Sequence, residues 1–287
     1  MKHASARGNT ESEAMNIDPR LLDVDFGSAA SVVRRGLGCT PRSDRPGDRF
    51  SVFERSFDLL PRSRWAELID EHVSMEILPQ ETKDQKNEGS CTSNASSQDF
   101  ECVRVAELGA ENWIKTSPIS LYKRCAPGPN SGSSLSDNLH ELVTRGILPS
   151  DTPENRNRAK RLGLEIEHFH PDTGYYTPLP TGWEDTAALF RADEVFDIQS
   201  FDGLMSALLY HWPVVYARSG HCILAVRPVR DRNKFYLKYL NSWGQWGENG
   251  YGYDSESAVS WAISLYGCFV VRSTIVPVEL RHLALAA

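Results

Sequence analysis

The chain has 287 residues, a net charge of −7, 40% hydrophobic residues and seven Trp. That is enough apolar material for one large or two-lobed globular domain and excludes overall disorder. The negative balance argues against a partner held by phosphate neutralisation, so no nucleic acid is expected. No apolar run reaches the ~18 residues of a membrane span, and Met1 to Met15 has no apolar signal core. No membrane partner is expected, and the expected location is the cytoplasm. The six cysteines are Cys39, Cys91, Cys102, Cys125, Cys222 and Cys268. They form no CxxC and no metal-ligand spacing, so buried free thiols are expected, with no metal and no cofactor.

Residues 1–57 are rich in Ser, Arg, Gly and Asp, with apolar islands at Leu21-Leu22 and Val32-Val33. They are expected to be a flexible or wrapping extension before a domain at 58–287. A short helix is expected over Arg64–Val73, then a polar loop over 79–90. Cys91 to Leu108 is expected to be helical and buried against neighbours, because its Thr, Ser and Asn residues are poor solvated-helix formers. A loop follows over Ala126–Ser134. The next helix is opened by Ser136-Asp137, carries Leu135, Leu139, Leu142 and Val143 on one side, and stops at Gly146. Residues 150–185 are polar and broken by Pro and Gly.

Phe201, Leu204, Met205, Leu208 and Leu209 follow the i, i+3, i+4, i+7, i+8 period of a helix capped by Ser200. The period then changes. Val214–Ala217, His221–Val226, Phe235–Leu240 and Cys268–Val271 read as strands, with the basic run Arg227–Lys234 as a hairpin tip. Helices dominate the first half and strands the second, the pattern of an α+β protein with segregated lobes.

The chemistry-bearing residues stand far apart in the chain. Gly89-Ser90 allows a tight turn that places Cys91 at a helix N-terminus, where a thiolate is favoured, although a lone buried Cys is more often structural. His221 opens an apolar strand behind Gly220. Asn241, after the next strand, is placed to fix the imidazole tautomer, and Trp243 to cover that bond. The Gln85 amide, six residues before Cys91, is suited to hold an oxyanion together with the Cys91 N–H. His168 and His170 lack a third ligand, and no metal site is expected there.

These residues resemble the papain-like cysteine peptidases. Gln85-Lys86-Asn87-Glu88-Gly89-Ser90-Cys91, Gly220-His221 and the block Asn241-Ser242-Trp243-Gly244-Gln245-Trp246-Gly247-Glu248-Asn249-Gly250-Tyr251 carry the resemblance. His221 and Asn241 lie 130 and 150 residues after Cys91, the separation that the handful of papain signatures requires. Leu60-Pro61 with Trp65 resembles the mature start of such enzymes, and Gly132 to Asp137 their Gly-rich cleft segment.

The resemblance implies a two-lobed α+β fold. A helical first lobe at about 84–165 would face an antiparallel β-sheet or barrel-like second lobe at about 166–280, with the active site in the cleft between. It implies a cysteine-type peptidase acting on protein or peptide through a Cys91–His221–Asn241 triad and an acyl-enzyme. The oxyanion hole would be Gln85 and the Cys91 N–H, Trp243 the triad shield, and Gly132 and Ser133 the substrate-binding pair. Three positions depart from the family pattern: Lys86 for Gly, Glu88 for a disulfide Cys and Thr92 for an aromatic residue. The extension lacks the long helical pattern of an inhibitory propeptide. The alternatives are a catalytically relaxed binding or assembly module on the same scaffold, or a thiol amidohydrolase or transamidase.

Overall fold

A computed structural model describes residues 17–33, 35–71 and 81–281. Met1 to Met15, Val73, the start of the 79–90 loop and the tail Leu283 to Ala287 lie outside the described residues. In chain order the helices are α1 (Phe26–Val33), α2 (Phe53–Ser56), α3 (Arg62–Glu71), α4 (Cys91–Leu108), α5 (Pro118–Cys125), α6 (Leu135–Thr144), α7 (Pro153–Arg161), α8 (Trp183–Ala188), α9 (Phe201–Leu209), α10 (Trp246–Asn249) and α11 (Glu256–Tyr266). The strands are β1 (Cys39–Thr40), β2 (Ser51–Val52), β3 (Ser133–Ser134), β4 (Ala192–Asp197), β5 (Val214–Arg218), β6 (His221–Asp231), β7 (Lys234–Leu240), β8 (Tyr251–Ser255) and β9 (Cys268–Thr274).

Seven strands form one sheet in the order β2-β4-β9-β5-β6-β7-β8. Its pairings are antiparallel except β2 on β4. Among the described residues the sheet ends in two edges, β2 and β8, and does not close into a barrel. The barrel-like expectation is corrected to an open sheet, whose outer strand β2 comes from the N-terminal extension.

Successive residues of the central strands face opposite sides, as the two-residue strand period demands. Val215, Ala217, Leu224, Val226, Phe269 and Val271 join one core with Cys91, Ala95 and Phe100 of α4. Val214, Tyr216, Ile223, Ala225 and Val270 join a second core with α9, α11 and Trp65 of α3. Being covered on both faces, β5, β6 and β9 read as near-continuous apolar runs. At roughly 25 cal/mol per Å² of apolar surface, two such cores supply most of the folding drive.

The α4 helix is buried nearly all round, and its hydroxyls are satisfied by specific partners. Thr92 Oγ1 meets Ser133 Oγ at 2.6 Å, Ser97 Oγ meets Thr116 Oγ1 at 2.6 Å, and Ser96 donates to Thr92 O. Lys83 inserts its buried ammonium between Glu101 (2.8 Å) and Thr116 O (2.8 Å). Unpaired, those charges would cost several kcal/mol.

The α6 helix starts one residue before the expected opening, because Ser134 rather than Ser136 caps it by accepting from Asp137 N. Ser200 caps α9 by accepting from Gly203 N. The sequence did not single out β4, β8, α7 or α11. The α7 helix buries only Asn155 and Ala159, so it has no apolar period to read.

Candidate active site

Cys91 is the first residue of α4, immediately after Ser90 as N-cap, and it is fully buried. His221 is the first residue of β6. The two-residue β5–β6 turn that presents it is Ser219-Gly220, with φ of 51° and 72°. Positive φ at both turn positions matches the strand twist, and Gly220 adopts it without a Cβ penalty.

Asn241 follows β7 and is anchored by its N–H to Gly250 O at 2.8 Å. Its Oδ1 lies 2.8 Å from His221 Nε2. An amide oxygen only accepts, so Nε2 carries the proton and Nδ1 keeps its lone pair. Nδ1 is buried without a hydrogen-bond partner. Trp243 is 2% exposed and lies against His221 with ring centroids 4.7 Å apart.

Gln85 reaches the site through a short ladder between residues 83–85 and 242–244. Gln85 N donates to Ser242 O at 2.9 Å and Gly244 N to Lys83 O at 3.0 Å. Ser242 Oγ donates to Gln85 Oε1 at 2.6 Å, so the Gln85 amide must present its NH₂ to the cleft. Sequence reasoning passed over Ser242 as the residue that orients Gln85, although it stands inside the Asn-Ser-Trp-Gly block.

The cleft is filled by the chain's own N-terminal segment. Gly36 O accepts from Gln85 Nε2 at 2.9 Å, and Gly36 N donates to Lys86 O at 3.3 Å. Gly38 O accepts from Ser133 N at 2.8 Å, and Cys39 N donates to Gly220 O at 2.9 Å. Cys39-Thr40 then pairs with Ser133-Ser134 as a parallel β-ladder. Gly132 has φ 71°, and a Cβ there would stand 2.5 Å from Gly38 O. Gly132 and Ser133 therefore line a groove that holds a polypeptide backbone.

Behind the threaded segment, Phe26 of α1 is fully buried. Its ring packs on His221 (4.6 Å), Trp243 (5.6 Å) and Tyr239 (5.9 Å), with the Arg218 guanidinium 4.6 Å from its centre. Arg218 in turn holds Asp254 through two 2.6 Å bonds and donates to Val24 O at 2.8 Å. No sequence motif marked Gly36 to Thr40 or Phe26, because their positions follow from contacts with residues 49 to 217 positions away.

Occlusion sets the electrostatics. The N–H groups of Cys222, Gly38 and Thr92 lie near the Cys91 sulfur and favour its thiolate. Burial outweighs them and pushes the thiol up to about 12. Burial likewise lowers His221 to about 4 against the opposing pull of its Asn241 bond, with the Arg218 charge adding to the decrease. At neutral pH this closed form holds a neutral thiol and a neutral imidazole, not the ion pair that the sequence pattern suggests, because no water reaches either group.

The departures at three motif positions have local explanations. Lys86 sits at φ 54°, the left-handed region where glycine is usual, and its ammonium binds Asp84 at 2.7 Å. Glu88 Oε1 accepts from Gly174 N (3.0 Å) and Tyr175 N (2.7 Å), tying the 174–175 loop to the cleft without a disulfide. Thr92 supports Ser133 from below. His170 is turned inward toward Ser117, Pro171 and Thr177, and no group of metal-binding residues is found among the described residues.

Neither a family model nor a curated protein matches the chain. Solved structures do match. Xylellain, a cysteine protease from Xylella fastidiosa, aligns at TM-score 0.54 and 19% identity over 82% of this chain and 99% of its own. Digestive procathepsin L2 from Tenebrio molitor larval midgut aligns at 0.58 and 16% over 84% and 79%, and recombinant stem bromelain precursor at 0.51 and 13% over 87% of each chain. The fold is that of the papain-like cysteine proteases. At these identities the likeness establishes architecture alone. No described helix is long and apolar enough to cross a membrane.

Proposed function

We propose that this chain is a cysteine-type peptidase that is closed over its own active site in the described conformation. The observation that carries the reading is that the groove across Cys91 already accommodates a polypeptide main chain, bonded at Ser133, Gly220 and Gln85. A groove with those donors and acceptors suits a peptide substrate once residues 36–40 withdraw. Residues 58–287 serve as the peptidase domain and 1–57 as a wrapping extension, with a helical lobe at about 84–165 and a β lobe at about 166–280. The six free thiols support a reducing, cytoplasmic setting.

In the open form, water reaches Cys91 and His221 and the two form the ion pair, with Nδ1 taking the thiol proton while Asn241 holds Nε2–H. The thiolate attacks the amide carbonyl. The Gln85 NH₂, freed from Gly36 O, and the Cys91 N–H receive the oxyanion, one such donor being worth about 3–4 kcal/mol. His221 then protonates the leaving amine, and water cleaves the acyl-enzyme. Trp243 keeps the His221–Asn241 bond dry throughout.

The buried, neutral Cys91 favours a second reading, a catalytically relaxed binding or assembly module. Cleavage of a peptide library by the full chain and by Cys91→Ala separates the two. Under the peptidase reading the wild type cleaves and Cys91→Ala does not. Equal behaviour of the two proteins, with biological activity retained in Cys91→Ala, selects the module. Replacing the acyl acceptor water by an added amine, with ligated product appearing, would identify the transamidase variant of the same chemistry.

A further inference from the structure

The first turn of the nucleophile helix carries more than Cys91. Thr92 and Ser93 follow it in α4, and both side chains are fully buried. Thr92 Oγ1 lies 2.6 Å from Ser133 Oγ. Ser93 Oγ donates to Asn138 Oδ1, which fixes the orientation of the Asn138 amide, because an amide oxygen only accepts. The Asn138 Nδ2 group then faces the groove wall and donates to Ser133 Oγ at 2.8 Å and to Ser134 O at 2.8 Å. Asn138 belongs to α6 and is fully buried, and Ser133 is 3% exposed. On the same wall, Gly132 N donates to Tyr122 Oη at 3.0 Å. A buried chain of hydroxyls and one amide therefore joins the helix turn that holds the nucleophile to the strand β3, whose Ser133 N–H bonds Gly38 O at 2.8 Å. Polar groups that satisfy one another away from water are rigid as a set, and removing one leaves its partners unpaired.

We propose that Thr92 and Asn138 are positioning residues that hold the Ser133 N–H at a fixed place relative to Cys91, so that a main chain lying in the groove is aligned through its carbonyl oxygen. As a device for substrate, this bracket rests on the peptidase reading of the groove. Thr92 acts through the Ser133 hydroxyl, and Asn138 acts through that hydroxyl and through Ser134 O. One helix turn thus carries both the nucleophile and the support for the bond that sets its target. The bracket also gives a reason for Thr92 at a position where the motif has an aromatic residue: a Phe or Trp ring would have no oxygen to offer Ser133. The chemistry recognised is the peptide carbonyl itself, the group that Gly38 presents in the closed chain.

The test uses the full chain and reads amide hydrogen exchange residue by residue by NMR. Thr92→Val keeps the shape of the side chain and removes its hydroxyl. It should speed exchange of the Ser133 N–H by about 5- to 150-fold, the span expected when a buried polar group loses its partner. The N–H groups of Ser117 and Gly244, bonded to Leu148 O and Lys83 O, are the controls and should keep their wild-type rates. Thr92→Ser restores the hydroxyl and should return Ser133 to the wild-type rate. Ser133→Ala keeps the N–H and lacks the hydroxyl, so adding Thr92→Val to it should change nothing further. Asn138→Ala should speed Ser133 exchange at least as much as Thr92→Val; if that variant does not fold, the two Thr92 variants decide the case. Unchanged Ser133 exchange in Thr92→Val, an equal rise at Ser117 and Gly244, no rescue by Thr92→Ser, or a full Thr92→Val effect on top of Ser133→Ala overturns the proposal. Peptide cleavage is scored separately. The exchange pattern without cleavage by the wild type would sink the peptidase reading and leave the bracket seating the chain's own segment. Cleavage that Cys91→Ala abolishes, with Ser133 exchange indifferent to Thr92, would do the reverse.

Discussion

Gly38→Ala tests whether closure controls access to Cys91. A Cβ at Gly38 would stand 1.8 Å from Gly89 O, 2.4 Å from Gly89 C and 2.6 Å from Gly89 Cα. These are main-chain atoms of the turn that leads into α4, so they cannot swing aside as a side-chain tip would. Overpacking of this kind costs about 1–3 kcal/mol. Gly38 lies on the closing segment, so the cost falls on the closed state and leaves the open state nearly untouched. An opening equilibrium shifted by 1–3 kcal/mol moves about 5- to 150-fold. Because Cys91 is fully buried when closed, its alkylation rate by iodoacetamide reports the open fraction directly. The expected result is a rise in that rate within this range, with a parallel rise in peptide cleavage. Cys102, 2% exposed in the body of α4, is the internal control and should label no faster than in wild type. Cys91 labelling unchanged in Gly38→Ala, or Cys91 and Cys102 rising together, would refute the reasoning, the first by denying closure and the second by showing global loosening.

Under the proposed oxyanion role, in which the Gln85 amide meets charge that exists only in the transition state, Gln85→Ala should lower kcat by about 10²–10³ with little change in KM; a pure KM effect would reassign Gln85 to substrate binding. Asn241→Ala removes the 2.8 Å partner of His221 Nε2, a bond to a group that becomes charged, and should cost about 1.5–3 kcal/mol, roughly ten- to a hundredfold in kcat/KM. Wild-type kcat/KM in that variant would mean that Trp243 and the strand alone orient the ring. Acidification should open the chain: His221 sits at about 4 when closed and near 6.5 when solvated. Between those values the open state therefore binds more protons than the closed one, and closure weakens as pH falls through this window. Hydrogen exchange at the Cys39 amide, corrected for its intrinsic pH dependence, should accelerate relative to pH 7, and His221→Phe should abolish the difference. Phe26→Ala deletes a fully buried ring packed on His221, Trp243 and Tyr239. It should cost about 3–5 kcal/mol, read as a lower Tm and faster Cys91 alkylation; an unchanged Cys91 rate would show that α1 does not hold the closing segment in place.

Much of the site could be read from residues alone because each part is a local pattern with its own physical reason. Gly89-Ser90 before Cys91 is a turn into a helix. Gly220 before His221 is a hairpin turn into a strand. Asn241 to Tyr251 is a rigid, aromatic, turn-rich block. The strands β5, β7 and β9 and the helix α9 announced themselves by their apolar period, and β6 did so as far as Val226; Arg227–Asp231, expected in the hairpin tip, instead continues β6 paired with β7. By contrast α7 is nearly all polar, and β4 alternates irregularly across a bulge.

The amino-acid sequence by itself determined the α+β architecture and marked the residue types proposed for thiol chemistry, because short-range turns, caps and apolar periods are encoded in neighbouring residues. Only the tertiary structure decided that the sheet stays open at β2 and β8, that Glu88 ties the 174–175 loop, and that Gly36 to Thr40 runs through the groove over Cys91. Gly36-Leu37-Gly38-Cys39 is a featureless string on paper. Its place depends on missing Cβ atoms meeting the main chain at Glu88 and Gly89, and on hydrogen bonds to Gln85, Ser133 and Gly220, none of which is a neighbour in the chain. Long-range contact, and the loss of water that comes with it, turned a thiol and an imidazole suited to an ion pair into two buried neutral groups.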